Sequence, residues 1–162
     1  MIPSTVSYMD LDYNMFDGCV SLVSIDVDSD NTTVSSIDGV LYNKEKTTLL
    51  VCPNRKESIT IPETVTSIDD NAFYLDDVEE AFALLTSIDV DANNKVYSSD
   101  DGMLYSKDGT TLLMCPRGKK SAAIADHATT IAPEAFHACK SLESVSIPDS
   151  VVIIGEDAFW DC

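Results

Sequence analysis

The sequence predicts a strand-rich α/β repeat protein, a solenoid of short parallel strands, short helices or 3₁₀ turns, and inserted β-hairpins. Two repeats predict it. Asp38–Pro53 and Asp101–Pro116 match at an offset of 63 residues, and Ala135–Cys139 and Ala158–Cys162 match at an offset of 23. Repeats of this length determine the architecture, because each unit buries its apolar face only by stacking on its neighbours.

Alternating β-branched residues predict the strands. Ile59 and Ile61, and likewise Val145 and Ile147, fall on one face of an extended segment, with a proline directly after each pair. Because proline lacks an N–H group, it ends a strand where a donor would be needed. We therefore predict one short strand per repeat.

An Ala-Phe pair after the strand predicts a short helix or 3₁₀ turn, with a small residue for close approach and a large one to fill the core. Stacking of the repeats is expected to align the rings along an aromatic spine of Phe16, Phe73, Phe136 and Phe159.

The inserted blocks predict β-hairpins. Lys107–Thr110 supplies a turn with Gly109 for positive φ, between extended segments at 103–105 and 112–114. Asn43–Lys46 is the equivalent, weaker turn.

Tyr74–Leu85 departs from the repeat and predicts a helix of roughly two to three turns. One helical face would carry Leu75, Val78, Phe82 and Leu85, and Asp76 and Glu79 suit its N-terminal end.

Leu142–Val151 followed by Ile154–Cys162 is similar to the repeat of the BspA-like leucine-rich-repeat family, and the resemblance covers nearly the whole chain. The 23-residue period lies within the leucine-rich-repeat range. Met15 stands where the pattern has Ala, and Asp76 where it has Cys. The resemblance implies a leucine-rich-repeat-like right-handed solenoid.

We expect one solenoid segment over residues 1–162, with long units at about 1–57 and 58–120 and short units at about 121–143 and 144–162. Both ends are expected to be cuts in a longer array, because Ile2-Pro3 aligns with Ile61-Pro62 and the chain stops where another strand would start. Uncapped ends favour self-association.

The charge restricts the partners. The 28 acidic and 10 basic residues give a net charge of −18, which repels nucleic-acid phosphates and anionic lipid surfaces. No apolar run is long enough for a spanning helix, and no signal peptide is seen in this segment. We expect neither nucleic-acid binding nor membrane insertion.

The five cysteines follow the repeat, which favours buried free thiols over a disulfide or metal site. Asp26–Asn31 and Asp89–Asn94 begin like a calcium loop but lack its Gly and Glu, so Asx turns are the preferred interpretation. Asn31–Thr33 is a glycosylation sequon.

Catalysis has little support. The histidines are His127 and His137, and no nucleophile elbow, zinc-binding helix motif or phosphate loop occurs. The adjacent acids could serve glycoside hydrolysis or, as we prefer, solvated turns: Asp69-Asp70, Asp76-Asp77 and Asp100-Asp101. We predict a non-enzyme and nominate no catalytic, cofactor-binding or metal-binding residue.

The family resemblance implies a protein- or glycan-binding module of a secreted or cell-surface protein, such as an adhesin for host matrix or other cells. A spacer without a ligand and an accessory domain of a larger enzyme are the alternatives. An exposed apolar or aromatic patch would favour binding over the spacer.

Overall fold

The computed structural model describes residues 1–9, 15–16, 18–73 and 84–162. They form thirteen short strands, and these described residues contain no helix. The helix predicted over Tyr74–Leu85 lies outside the described residues, apart from Leu84 and Leu85, which are not helical. The strands are β1 Val34–Ile37, β2 Val40–Asn43, β3 Thr48–Val51, β4 Ser58–Ile61, β5 Ser67–Ile68, β6 Ser87–Val90, β7 Tyr97–Asp100, β8 Met103–Ser106, β9 Thr111–Met114, β10 Ser121–Ala123, β11 Thr130–Ile131, β12 Ser144–Ser146 and β13 Ile153–Ile154.

The chain divides into two compact lobes, a first lobe of Met1–Lys56 with Thr64–Phe82 and a second lobe of Glu57–Glu63 with Ala83–Cys162. In the first lobe, β1, β2 and β3 form an antiparallel meander, and β5 adds to β3 in parallel. Its core is built on Ile25, Val34 and Leu41.

The second lobe repeats this plan and extends it. Strands β7, β8 and β9 form the meander, and β11 and then β13 add in parallel to give a five-stranded sheet in the order β13-β11-β9-β8-β7. Two parallel pairs, β4-β6 and β10-β12, complete the lobe. Ile59 and Ile61 are buried as predicted, whereas Ile147 is 40% exposed.

The two inserted hairpins are confirmed, and each has a third strand that the sequence interpretation missed. That strand precedes an Asp-Gly turn, at Asp38-Gly39 and again at Asp101-Gly102. All four turn residues have positive φ, as a two-residue hairpin turn of type I′ requires. Asp-Gly between extended segments was the signal that could have located both strands.

The Ala-Phe segment at 132–139 is a series of tight turns, so the predicted short helix or 3₁₀ turn is wrong here. The N–H groups of Glu134, Phe136 and Ala138 donate to carbonyls of the next repeat, at Glu156, Ala158 and Trp160, over 2.7–3.1 Å. Glu134 and Ala138 also have positive φ. These N–H groups are therefore unavailable for the internal hydrogen bonds of a helix.

One ring-to-ring contact of the predicted aromatic spine is seen in the second lobe. The Phe136 and Phe159 rings stack with centroids 4.7 Å apart. Phe16 and Phe73, in the first lobe, are partly buried.

Two asparagines have no exposed surface, and each joins its own loop to the preceding repeat. Asn94 donates to the Pro62 carbonyl at 2.8 Å and accepts from the N–H groups of Val96 and Tyr97. Asn31 makes the equivalent bonds in the first lobe. Each amide thus bonds backbone groups of its own loop and of the preceding repeat at once.

We predict that Asn94→Ala lowers the free energy of unfolding by about 2–4 kcal/mol, because three hydrogen bonds from a fully buried amide to the backbone are lost. Denaturant unfolding of the whole chain measures the change. Asn93→Ala is the control: Asn93 is exposed beside it and should shift stability by no more than about 0.5 kcal/mol. Equal effects of the two substitutions would contradict this role for Asn94.

Candidate binding surface

The calcium-like segments form Asx turns, as the sequence interpretation preferred. Asp28 Oδ1 accepts from the N–H of Asp30 at 2.9 Å, and Asp91 Oδ1 accepts from the N–H of Asn93 at 2.8 Å. Across the described part of the chain, no group of three or more His, Cys, Asp or Glu side chains could hold a metal ion. The sequon at Asn31 is buried, so the folded chain does not present that amide to a glycosylating enzyme.

All five cysteines are free thiols, of which Cys52, Cys115 and Cys139 are buried. Core filling is therefore confirmed for these three and wrong for Cys19 and Cys162, which are exposed. Burial raises the pKa of Cys52 to about 12, and the neighbouring Cys115 thiol together with burial raises the pKa of Cys139. Since the thiolate is the nucleophile and the metal ligand, Cys52 and Cys139 are poorly suited to either role at neutral pH.

Asp70 and Asp101 lie in turns, Asp100 ends strand β7, and Asp76-Asp77 lies outside the described residues. Asp100 and Asp101 are exposed, and Asp101 pairs with Lys119 at 3.2 Å. Hydrogen bonds from the Ser106 hydroxyl and the Thr110 N–H lower the pKa of Asp108. Glycoside hydrolysis needs an acid whose pKa is raised, so Asp108 is unsuited to be that acid.

Trp160 is the large aromatic side chain that the second lobe presents to solvent, with 59% of its surface exposed. Its ring centroid lies 4.9 Å from that of His137, at an angle of 42°. The backbone is held from two sides: the Trp160 N–H donates to the Asp157 carbonyl, and the Trp160 carbonyl accepts from the Ala138 N–H, both at 2.9 Å. The turn that carries the indole is therefore fixed by hydrogen bonds on both sides.

Two charged pairs are formed by residues of the same two turns. His137 Nδ1 lies 3.7 Å from a Glu134 carboxylate oxygen, and Lys140 Nζ lies 3.0 Å from an Asp161 carboxylate oxygen. Both carboxylates and the ammonium group are well exposed. We call these five residues the Trp160 surface: Glu134, His137, Lys140, Trp160 and Asp161.

The sequence interpretation nominated no binding residue and so missed this surface, although a signal was present. His137 and Trp160 each follow an Ala-Phe pair and are 23 residues apart. Equal positions in successive repeats meet when the repeats stack. The short repeat therefore places the two rings side by side.

Further exposed apolar side chains lie near Trp160 in the sequence. Val152 is 79% exposed, and Ile153 and Ile154 of strand β13 are each more than half exposed. Strand β13 lies at the edge of the five-stranded sheet, and Ile131, which pairs with Ile154 from the preceding repeat, is fully buried. Within the described ranges, no helix is long and apolar enough to cross a membrane.

Comparison with known proteins assigns the family. The BspA type leucine rich repeat region matches residues 1–74, 45–87 and 116–162, in six copies. The chain belongs to this leucine-rich-repeat family. A search of curated proteins found no match.

Three solved structures resemble this BspA-type chain. A leucine-rich repeat protein from Eubacterium ventriosum has 29% identity over 64% of the chain, with a TM-score of 0.52. The pneumococcal vaccine antigen PcpA has 25% identity over 83% (TM-score 0.52), and a leucine rich cell surface protein from Faecalibacterium prausnitzii has 25% over 89% (TM-score 0.53). This BspA-type segment spans only 27%, 30% and 40% of those chains, respectively.

We predict that N-ethylmaleimide modifies two thiols of the native chain at neutral pH, Cys19 and Cys162, and all five after denaturation. Burial protects the other three, and intact mass spectrometry counts the adducts. A variant with Cys19→Ser and Cys162→Ser should take up no reagent while folded. Rapid native modification of Cys139 would contradict the core assignment.

Proposed function

We propose that this chain is a non-enzymatic binding module of a secreted or cell-surface protein, in which successive repeats stack as a right-handed solenoid and present a ligand-binding face to protein or glycan. The observation that carries the proposal is the match to the BspA type leucine rich repeat region in six copies. The likeness to a leucine rich cell surface protein of F. prausnitzii supports the location.

A repeat array suits this role because its turns are fixed by backbone hydrogen bonds between neighbours. Side chains on such turns lose little conformational freedom when a ligand binds, so more of the contact energy is retained as affinity. The inter-repeat bonds at Glu134, Phe136 and Ala138 fix the turns beneath the Trp160 surface in this way.

The charge of the chain limits the class of ligand. A net charge of −18 disfavours polyanions, including nucleic acids and acidic lipid surfaces. Matrix proteins with neutral or basic surfaces and uncharged glycans remain as the partners, and adhesion to host matrix or to other cells is the activity we propose.

The test is a surface-plasmon-resonance screen of the monomeric chain against immobilised matrix proteins and neutral glycans. Sedimentation velocity first identifies the monomer, since self-association through exposed repeat ends would mimic binding. We expect saturable binding to at least one ligand. Binding should weaken roughly tenfold or more when Val152→Ser, Ile154→Ser and Trp160→Ala are combined, because exposed anchors dominate binding energy.

The matched control combines three exposed polar substitutions elsewhere in the second lobe, Glu63→Ser, Lys95→Ser and Glu143→Ser. It should bind like the wild type. If neither the chain nor the control binds any ligand, the spacer role is the better account and the proposal is overturned.

A further inference from the structure

We propose that Cys115 and Cys139 are a redox pair, which forms a disulfide between two successive repeats when the chain folds in an oxidising environment. The inference is independent of the binding function proposed above. Cys115 directly follows strand β9, and Cys139 lies in the turns after strand β11. Both are free thiols in the structure, which therefore shows the reduced form of the pair.

Backbone hydrogen bonds hold the two cysteines in neighbouring repeats. The Cys115 N–H donates to the Ala135 carbonyl at 2.7 Å, and the Cys139 N–H donates to the Phe136 carbonyl at 3.1 Å. The turn segment 135–139 is thus bonded to Cys115 at one end and carries Cys139 at the other. This arrangement brings both side chains into the same part of the core.

The two cysteines are already in contact. The Cys139 sulfur lies 3.7 Å from the Cys115 carbonyl oxygen, and the Cys139 thiol also bonds to the Cys115 thiol. A disulfide holds its sulfurs about 2.0 Å apart. Because the backbones are held beside each other, rotation of the two side chains is the movement needed to close the remaining gap.

The first lobe repeats one half of the pair. Cys52 stands 63 residues before Cys115, and its N–H donates to the Ala72 carbonyl at 2.8 Å, as the N–H of Cys115 does to the equivalent alanine. The residue 63 positions before Cys139 is Asp76. Cysteine therefore fills the first position in the core without a cysteine at the second, so core filling alone does not require the pair.

The reaction is thiol–disulfide exchange with a low-molecular-weight disulfide such as oxidised glutathione. The thiolate of one cysteine attacks a sulfur of the oxidant and releases one thiol. The second cysteine then attacks the mixed disulfide, which forms the Cys115–Cys139 bond and releases a second thiol. The two cysteines lose two electrons and two protons, and the oxidant takes up both as two molecules of thiol.

Burial determines when this exchange can occur. Cys115 and Cys139 are 1% and 0% exposed, and the raised pKa of Cys139 keeps it protonated at neutral pH. Because the thiolate is the reactive species, the folded, reduced chain exchanges slowly, whereas an unfolded chain presents both thiols to the oxidant. The same burial shields a finished disulfide from reductants. The chain therefore retains the redox state in which it folded.

The test uses the whole chain with Cys19→Ser and Cys162→Ser, which removes the two exposed thiols. The chain is unfolded and then refolded in mixtures of reduced and oxidised glutathione, and peptide mapping by mass spectrometry locates the disulfide. We expect a Cys115–Cys139 bond, with Cys52 left free. The folded, reduced chain in the same oxidising mixture should form this bond more slowly, by roughly tenfold or more.

Thermal unfolding measures what the bond does. It closes a loop of 139 − 115 = 24 residues, and should raise Tm by about 7–14 °C relative to the reduced chain. A further Cys139→Ala substitution leaves Cys115 unpaired and should abolish the difference in Tm between the two redox conditions. Cys52→Ala is the matched control, also at a buried thiol, and should preserve the difference.

Three outcomes overturn the inference. One is the absence of a Cys115–Cys139 bond even in fully oxidised glutathione, and another is preferential pairing of either residue with Cys52. The third is a Tm of the oxidised chain no higher than that of the reduced chain, because the bond would then strain the native packing. The ligand screen tests the binding function separately from all three.

Discussion

Backbone hydrogen bonds between successive repeats are the constraint on which the second lobe depends. Strands β9, β11 and β13 continue one parallel ladder, and the turns after them extend it through Glu134, Phe136 and Ala138. Because these N–H groups bond to the next repeat, the Ala-Phe segment is not helical. The small Ala135 and Ala158 side chains and the stacked phenylalanine rings then fill the space that the ladder encloses.

The same ladder determines where binding chemistry can occur. Cysteines and asparagines that point inward are buried and fully used by packing or backbone contacts, as Cys139 and Asn94 show. Side chains that point outward from the same turns start from a fixed backbone, and their ends are exposed to solvent. Trp160 belongs to this second group, and its neighbour His137 comes from the preceding repeat, so the surface exists only when repeats are stacked.

Much of this arrangement could be predicted from the sequence, because the repeat is local information. The offsets of 63 and 23 residues gave the repeating units, and the Asp108-Gly109 turn gave its hairpin. Strands β1 and β7 were missed because serines occupy their centres. Ser36 and Ser99 lie there because their hydroxyls accept the N–H groups of Val27 and Val90, a contact that no periodicity shows. The Trp160 surface required comparing equal positions across repeats rather than searching for a motif.

Strand β9 closes a three-stranded meander on one side and pairs in parallel with β11 on the other, while β11 makes the same parallel contact with β13 from a short repeat. A long repeat and a short repeat thus both end in a strand edge with which the next strand pairs in parallel. A further repeat of either kind would therefore find the same row of backbone hydrogen-bonding partners at this edge.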